Sequence, residues 1–208
     1  MKIYDISMTV TSDMPVYKGR KHKKPLFATD SDFKTGTAYE TRLTMNLHTG
    51  THLDAPLHFI EGGGTIEKIP LERFITRARV VDVTHVENGI SAQDLDGKGI
   101  KAGDFVLLKT RNSFEDLLEG DFVYLDGTGA RYLTDLGVAG VGTDALGVER
   151  AQPEHETHKT LLSAGVIILE GLRLADVSEG EYLLIAAPVK IAAEAAPARP
   201  MLIEGLSL

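Results

Sequence analysis

The sequence predicts an α+β fold, rich in strands, on three observations. Apolar and polar residues alternate with a period of two in the first quarter: Ile3, Asp5 and Ser7 against Tyr4, Ile6 and Met8, then Leu43, Met45 and Leu47 against Arg42, Thr44, Asn46 and His48. Such alternation marks strands with one buried face. The second half twice passes from a helical pattern through a glycine into an apolar run that ends in an acid. Finally, 208 residues of 43% hydrophobic composition can enclose a sizeable core, and no linker or repeat divides them, so 1–208 is read as a single domain.

In chain order, residues 11–36 carry Pro15, Gly19, Pro25 and many charges and read as a long connecting segment, a length that in compact domains tends to be functional. Within it the basic run Arg20-Lys21-His22-Lys23-Lys24 reads as a solvated loop rather than an anion site. Gly62-Gly63-Gly64 reads as a turn, because no Gly-Lys-Ser/Thr follows as a phosphate loop requires. Residues 78–86 read as a strand, Ser91 with Asp94 as a capped helix start, and 105–110 as a buried strand. The two helix-to-strand units are 130–136, Gly137 and 138–144, then 158–164, Gly165 and 166–170. Each glycine stands where a helix ends and the backbone turns left-handed.

Composition excludes several classes. The formal net charge is -8, with 30 acidic against 22 basic side chains, so a nucleic-acid partner, which needs a basic face, is not expected. There is no cysteine, hence no disulfide and no thiolate, and any metal must be held by nitrogen and oxygen. The start lacks the pattern of a secretory leader and the apolar runs are too short to span a bilayer, so a soluble, cytoplasmic protein is expected.

The chemistry concentrates in His48-Thr49-Gly50-Thr51-His52-Leu53-Asp54-Ala55-Pro56-Leu57-His58-Phe59. Positions 48, 52, 54 and 58 share parity, so an extended chain projects them to one face, whereas Gly50 and Pro56 oppose a helix. In a straight strand His48 and His52 would stand roughly 13 Å apart, too far for both rings to reach one ion at about 2.1 Å. The segment should therefore bend, and Gly50 can supply the kink. Burying three imidazoles and a carboxylate without a cation would leave unpaired polar groups, whereas a divalent metal satisfies them together. His22 and His85 read as ordinary histidines, and His155-Glu156-Thr157-His158 is one residue short of the zinc-protease spacing.

The run His48-x-Gly50-Thr51-His52-x-Asp54-x-Pro56-x-His58-Phe59 resembles the signature H-x-G-T-H-x-D-x-P-x-H-F of the cyclase family of metal-dependent hydrolases, which includes bacterial kynurenine formamidases (arylformamidases) of tryptophan catabolism. The resemblance extends to Asp5-Ile6-Ser7, Pro15-Val16-Tyr17, Gly142-Thr143-Asp144 and from His158 to Glu170. It implies a β/β/α swivelling-type fold around a strongly curved mixed sheet, and a homodimer or larger homo-oligomer. It also implies that His48, His52, Asp54, His158 and Glu170 bind metal, with Asp54 and Glu170 bridging two ions, and that His58 is the general acid/base. Zn²⁺, two per subunit, suits imidazole with carboxylate best, and Mn²⁺ or Fe²⁺ are permissible. Independently, Glu170 closes a buried apolar strand, where a carboxylate needs a metal or a salt bridge to Arg173 or Lys190. Tyr17 stands where formamidases of this type usually carry tryptophan, and Ala145-Leu146-Gly147-Val148-Glu149 departs from their usual serine and acid before proline. Both departures bear on substrate choice rather than on the metal centre. Tyr17, Phe27 and Phe59 are candidate pocket walls.

The expected activity is hydrolysis of a formamide such as N-formylkynurenine, a small-molecule substrate, to kynurenine and formate. The alternatives are hydrolysis of a cyclic amide or lactone, as in isatin hydrolase, and a structural metal site in a binding protein. Structural zinc sites are closed and thiolate-rich, which five nitrogen and oxygen ligands are not.

Overall fold

The computed structural model describes residues 1–115 and 121–206. Its strands in chain order are β1 (Lys2–Asp5), β2 (Leu26–Ser31), β3 (Glu40–Thr44), β4 (His52–Asp54), β5 (Ile75–Asp82), β6 (Gly89–Ile90), β7 (Phe105–Lys109), β8 (Tyr124–Leu125), β9 (Gly140–Thr143), β10 (Ile167–Glu170), β11 (Gly180–Ile185), β12 (Ala195–Pro197) and β13 (Met201–Glu204). The helices are α1 (Ala92–Leu95), α2 (Gly127–Leu136) and α3 (Glu156–Ser163). Nine strands form one curled mixed sheet in the order β1-β13-β11-β5-β7-β9-β10-β4-β12. Its centre, β5-β7-β9-β10, is parallel, and antiparallel strands flank it on both sides.

Both faces of the central strands are buried. Along β7, Phe105 and Leu107 join one core with Leu53, Phe74, Leu169 and Leu184, while Val106 and Leu108 join the opposite core with Val141, Ile168, Leu133 and Leu161. The period of two divides each strand between the two cores, and a strand buried on both sides becomes a continuous apolar run. α2 and α3 cover the second face: Leu133 and Leu161 pack there, and α2 and α3 lie in the crossovers that precede β9 and β10.

The helix limits follow from local chemistry. Asp126 caps α2, its carboxylate accepting from the N–H groups of Thr128 at 2.8 Å and Gly129 at 2.9 Å, so the helix begins three residues before the expected 130. Gly137 and Gly165 take φ of 74° and 72°, as their places at helix ends require. The Asp94 carboxylate reaches back to the Ser91 N–H at 2.8 Å, the reciprocal half of a capping box, though α1 lasts a single turn.

Other expectations are corrected. The supposed connecting segment contains β2, which pairs with β3 as a separate two-stranded ribbon exposed on both faces. The alternation seen across 42–48 ends at Thr44 in β3; residues 47–51 turn. The strand expected at 78–86 is β5, which starts at Ile75 and stops at Asp82, where the Val86 N–H closes a turn on the Val83 carbonyl at 3.0 Å. Among the described residues, no helix is long and apolar enough to cross a membrane.

Candidate metal centre

The sheet itself assembles the centre. β4 lies antiparallel between β10 and β12 with His52 directly opposite Glu170, so the two side chains share a face, and Asp54, two residues on, joins them. His48 arrives from the turn before β4, where Gly50 takes φ +71°. That is the bend the His48–His52 spacing requires. The close approach continues across the sheet end: a Cβ at Gly171 would stand 2.5 Å from the Gly50 carbonyl oxygen, and the Thr51 hydroxyl donates to the Gly171 carbonyl at 2.6 Å. His158 comes from the first turn of α3.

The geometry gathers all five side chains. His48 Nδ1 lies 3.0 Å from Asp54 Oδ1 and 3.3 Å from His52 Nε2. His52 Nε2 lies 3.5 Å from Asp54 Oδ1 and 3.3 Å from Glu170 Oε2. His158 Nε2 lies 3.7 Å from Asp54 Oδ2 and 3.3 Å from Glu170 Oε1. His52, Asp54 and Glu170 are at most 4% exposed, yet neither Asp54 oxygen has a hydrogen-bond donor. A fully buried carboxylate without donors is costly unless a cation is its partner.

The outer faces of the rings are oriented. His52 Nδ1 stands 2.9 Å from the Gly50 carbonyl, which can only accept, so the proton sits on Nδ1 and the Nε2 lone pair points inward. His158 Nδ1 lies 3.0 Å from Glu149 Oε1, off-line for a straight hydrogen bond, with Nε2 again inward. His48 Nε2 faces Glu194 Oε1 at 3.3 Å. These arrangements match the way a carboxylate or carbonyl fixes a metal-ligating imidazole.

Electrostatics agree with a centre suited to a cation. Burial pushes the His158 imidazole down, but Glu149 and Glu170 overturn that and lift it to about 10. Burial likewise opposes charge on His52, and Glu170 and Asp54 raise it above its ordinary value. Burial and the Glu170 charge push Asp54 up, while His48, His52 and His58 draw it down overall. Two buried carboxylates thus recruit protons onto neighbouring rings, a place that a divalent cation fits better because it satisfies both oxygens at once.

His58 differs. It sits not on a strand but at the end of a 3₁₀ turn, Pro56–His58, so the shared-parity reading fails at this residue: Pro56 breaks the extended chain. Its ring stacks on His48 with centroids 4.0 Å apart and lies edge-on to His158 at 5.5 Å. Burial first, with the neighbouring His48 and His158 charges, pushes it down to about 4 against the pull of Asp54 and Glu170, so it stays neutral. Its nitrogen also lies within ligand reach of His48 and Asp54.

A cleft of about 270 Å³ opens onto the centre, lined by Tyr17, Phe59, Leu146 and His58 among others. Tyr17 and Phe59 are thus in the wall, whereas Phe27 lies on the exposed ribbon. Arg173 is engaged with the carbonyls of Asn112 and Ser113, so it is not the partner of Glu170. Sequence reasoning missed Glu149, Glu194 and His155. Glu149 Oε1 contacts His155 Nδ1 at 2.6 Å and its Oε2 accepts from the Thr157 N–H at 3.0 Å. Nothing local marked it, because Glu149 lies beyond the end of β9 at Thr143 and next to Arg150, which reads as an ordinary ion-pair partner. The basic run, read as a solvated loop, lends Arg20 and Lys23 to the cleft wall.

Comparison with known proteins agrees with this geometry. Residues 4–150 match the Cyclase family model. The kynurenine formamidase of Maricaulis maris (strain MCS10) is 34% identical over 98% of this chain and 98% of its own. That of Salinibacter ruber (strain DSM 13855 / M31) is 33% identical over 97% of each. Among solved structures, a potential metal-dependent hydrolase with cyclase activity superposes with a TM-score of 0.90 at 50% identity, covering 97% of this chain and 96% of that one. Isatin hydrolase A from Labrenzia aggregata gives 0.84 at 25% identity, covering 97% and 93%.

Proposed function

Because this chain belongs to the Cyclase family, we propose that it is a metal-dependent amidohydrolase that cleaves a formamide such as N-formylkynurenine to kynurenine and formate. The observation that carries the reading is Asp54, a buried carboxylate whose two oxygens have no donor and are ringed by His48, His52, His158 and Glu170. Asp54 and Glu170 each set two oxygens among His48, His52 and His158, which supports two ions per subunit. Nitrogen and carboxylate donors favour Zn²⁺, with Mn²⁺ or Fe²⁺ compatible.

A bound divalent cation supplies Lewis acidity, acidifying the attacking water and polarising the amide carbonyl. The rest falls to the chain. Asp54 and Glu170 hold the negative charge that keeps the cation in place, while Gly50 and Glu149 fix which nitrogen of His52 and His158 faces inward. His58 stays neutral, so it can take the proton that the attacking water loses as the new C–O bond forms and hand it to the departing amine nitrogen as the C–N bond breaks. Tyr17 and Phe59 offer flat walls to an aryl group. On this reading the enzyme works in the cytoplasm, as one domain over 1–208, in homodimers or tetramers, and the exposed ribbon offers a face for the oligomer.

A second reading, opening of a cyclic amide or lactone, is favoured by the likeness to isatin hydrolase A. Elemental analysis of the purified protein, followed by a screen of aryl formamides, isatin and lactones on the same preparation, tests both. Metal bound together with formamide turnover is the expected result. A protein that takes up no divalent ion when supplied with it, or that opens rings and leaves formamides untouched, overturns the reading.

A further inference from the structure

Three basic side chains near the N-terminus stand over the cleft with no carboxylate partner among the described residues. Lys18, Arg20 and Lys23 all line the cleft that leads to the metal centre. Their charges gather around Tyr17, with Lys18 Nζ 5.1 Å and Lys23 Nζ 6.0 Å from its ring centroid. Among the described residues, none of the three has a carboxylate within ion-pair distance or donates a side-chain hydrogen bond, although acidic side chains outnumber basic ones 30 to 22. Arginines elsewhere do pair: Arg42 with Asp30, Arg79 with Glu181 and Arg131 with Glu156.

Holding these cations together costs free energy. Burial, then the Arg20 charge, pushes the Lys23 ammonium down from its ordinary value. Lys18 also carries a left-handed backbone, φ +51°, a conformation that non-glycine residues adopt at a cost and that tends to persist at working sites. An anion seated among them would relieve the repulsion, and a cleft with low-dielectric walls concentrates such a field. A neutral ring such as isatin gains nothing from it.

Resting on the amidohydrolase reading, we propose that Lys18, Arg20 and Lys23 form a carboxylate subsite at the cleft mouth, so that the preferred substrate is an amide bearing a carboxylate remote from the scissile bond. The test compares kcat/KM for N-formylkynurenine with that for formanilide, which has the same aryl formamide bond and no carboxylate. The ratio should favour the charged substrate and fall as ionic strength rises, which needs no variant. In Arg20→Gln/Lys23→Gln the ratio should drop about tenfold, through KM rather than kcat, and Arg20→Lys/Lys23→Arg should restore most of it. A ratio that is indifferent to salt, or equal in the variant and the wild type, overturns the subsite and leaves the amidohydrolase standing. If the metal-loaded protein hydrolyses neither amide, the amidohydrolase reading fails instead. The subsite is then judged by calorimetry with kynurenine and its methyl ester: tighter binding of the acid, lost in the double variant, supports it, and equal binding overturns it.

Discussion

His58 and His158 are like rings in unlike surroundings, and the proposed roles follow that difference. At His58 burial, with the His48 and His158 charges, outweighs the pull of Asp54 and Glu170 and keeps the ring neutral, whereas His158 is held between Glu149 and Glu170 and is drawn towards the charged form. His58→Ala should therefore lower kcat by about 10²- to 10⁴-fold, the usual worth of a positioned proton donor, while bound metal stays near the wild-type amount. Loss of the metal in that variant would make His58 a ligand and end its role as the acid. Glu149→Gln keeps the size of the side chain and removes the charge beside His158 Nδ1. Chelator competition should then show metal binding weakened by roughly 10- to 100-fold, the usual cost of losing the group that orients a ligand. Unchanged affinity would reduce Glu149 to a cap for α3, whose Thr157 N–H it also holds.

At the scale of elements, Gly50 and the strand register do the positioning. Gly50 has φ +71°, and a Cβ there would stand 3.1 Å from the Met14 methyl. A β-branched residue meets both obstacles, so Gly50→Val should displace His48 from Asp54 and weaken metal binding at least tenfold without removing a ligand, since the left-handed conformation alone costs about 1–2 kcal/mol. A titration with wild-type affinity would show that the bend does not set the ligand spacing. This bend was legible in the sequence because a distance decided it: two rings four residues apart cannot share an ion across a straight strand. The buried strands at β7, β9 and β10, and the glycines that close α2 and α3, were legible for the same local reasons of periodicity and backbone freedom. Where tertiary contact decides, the sequence was silent. Glu149 reaches His158 only because the loop before α3 folds back, and Glu194 meets His48 only because β12 pairs with β4. β2 was hidden for another reason: it is exposed along nearly its whole length and lies in a stretch of prolines and charges, so no buried face imposes an alternation on it. The basic run misled because its charges suit solvent equally well, and only its placement over the cleft distinguishes the two.

For the molecule as a whole, the metal and the ribbon both tie stability to something outside the chain. Chelation should lower the melting temperature by roughly 10 °C, since a ligand at a thousandfold excess over its Kd contributes about 4 kcal/mol, and one kcal/mol shifts a domain of this size by about 2–4 °C. The metal-free chain should soften further as the pH rises from 6.5 towards about 10: His158 is raised in the folded state, so its contribution is full below its unfolded value and is lost as the folded group deprotonates. A melting temperature indifferent to both chelator and pH would place the five ligands outside the stabilising core. The ribbon poses the opposite problem, apolar surface with nothing over it. Leu26 is 66% exposed, Phe27 47%, Tyr39 59% and Leu43 44%, and Phe27 faces Leu43 directly across the two strands. A two-stranded ribbon is marginal by itself, and the exposed Phe27–Leu43 pair on one of its faces is a candidate contact surface. The implied homo-oligomer supplies the cover if a second copy packs on that face. Sedimentation should give a dimer or tetramer for the wild type, and Phe27→Lys with Leu43→Glu should shift it towards monomer with the metal still bound, because the ribbon contributes no ligand. A wild type that sediments as a monomer at every concentration would leave the ribbon's apolar face to some other partner and remove the oligomer from the account.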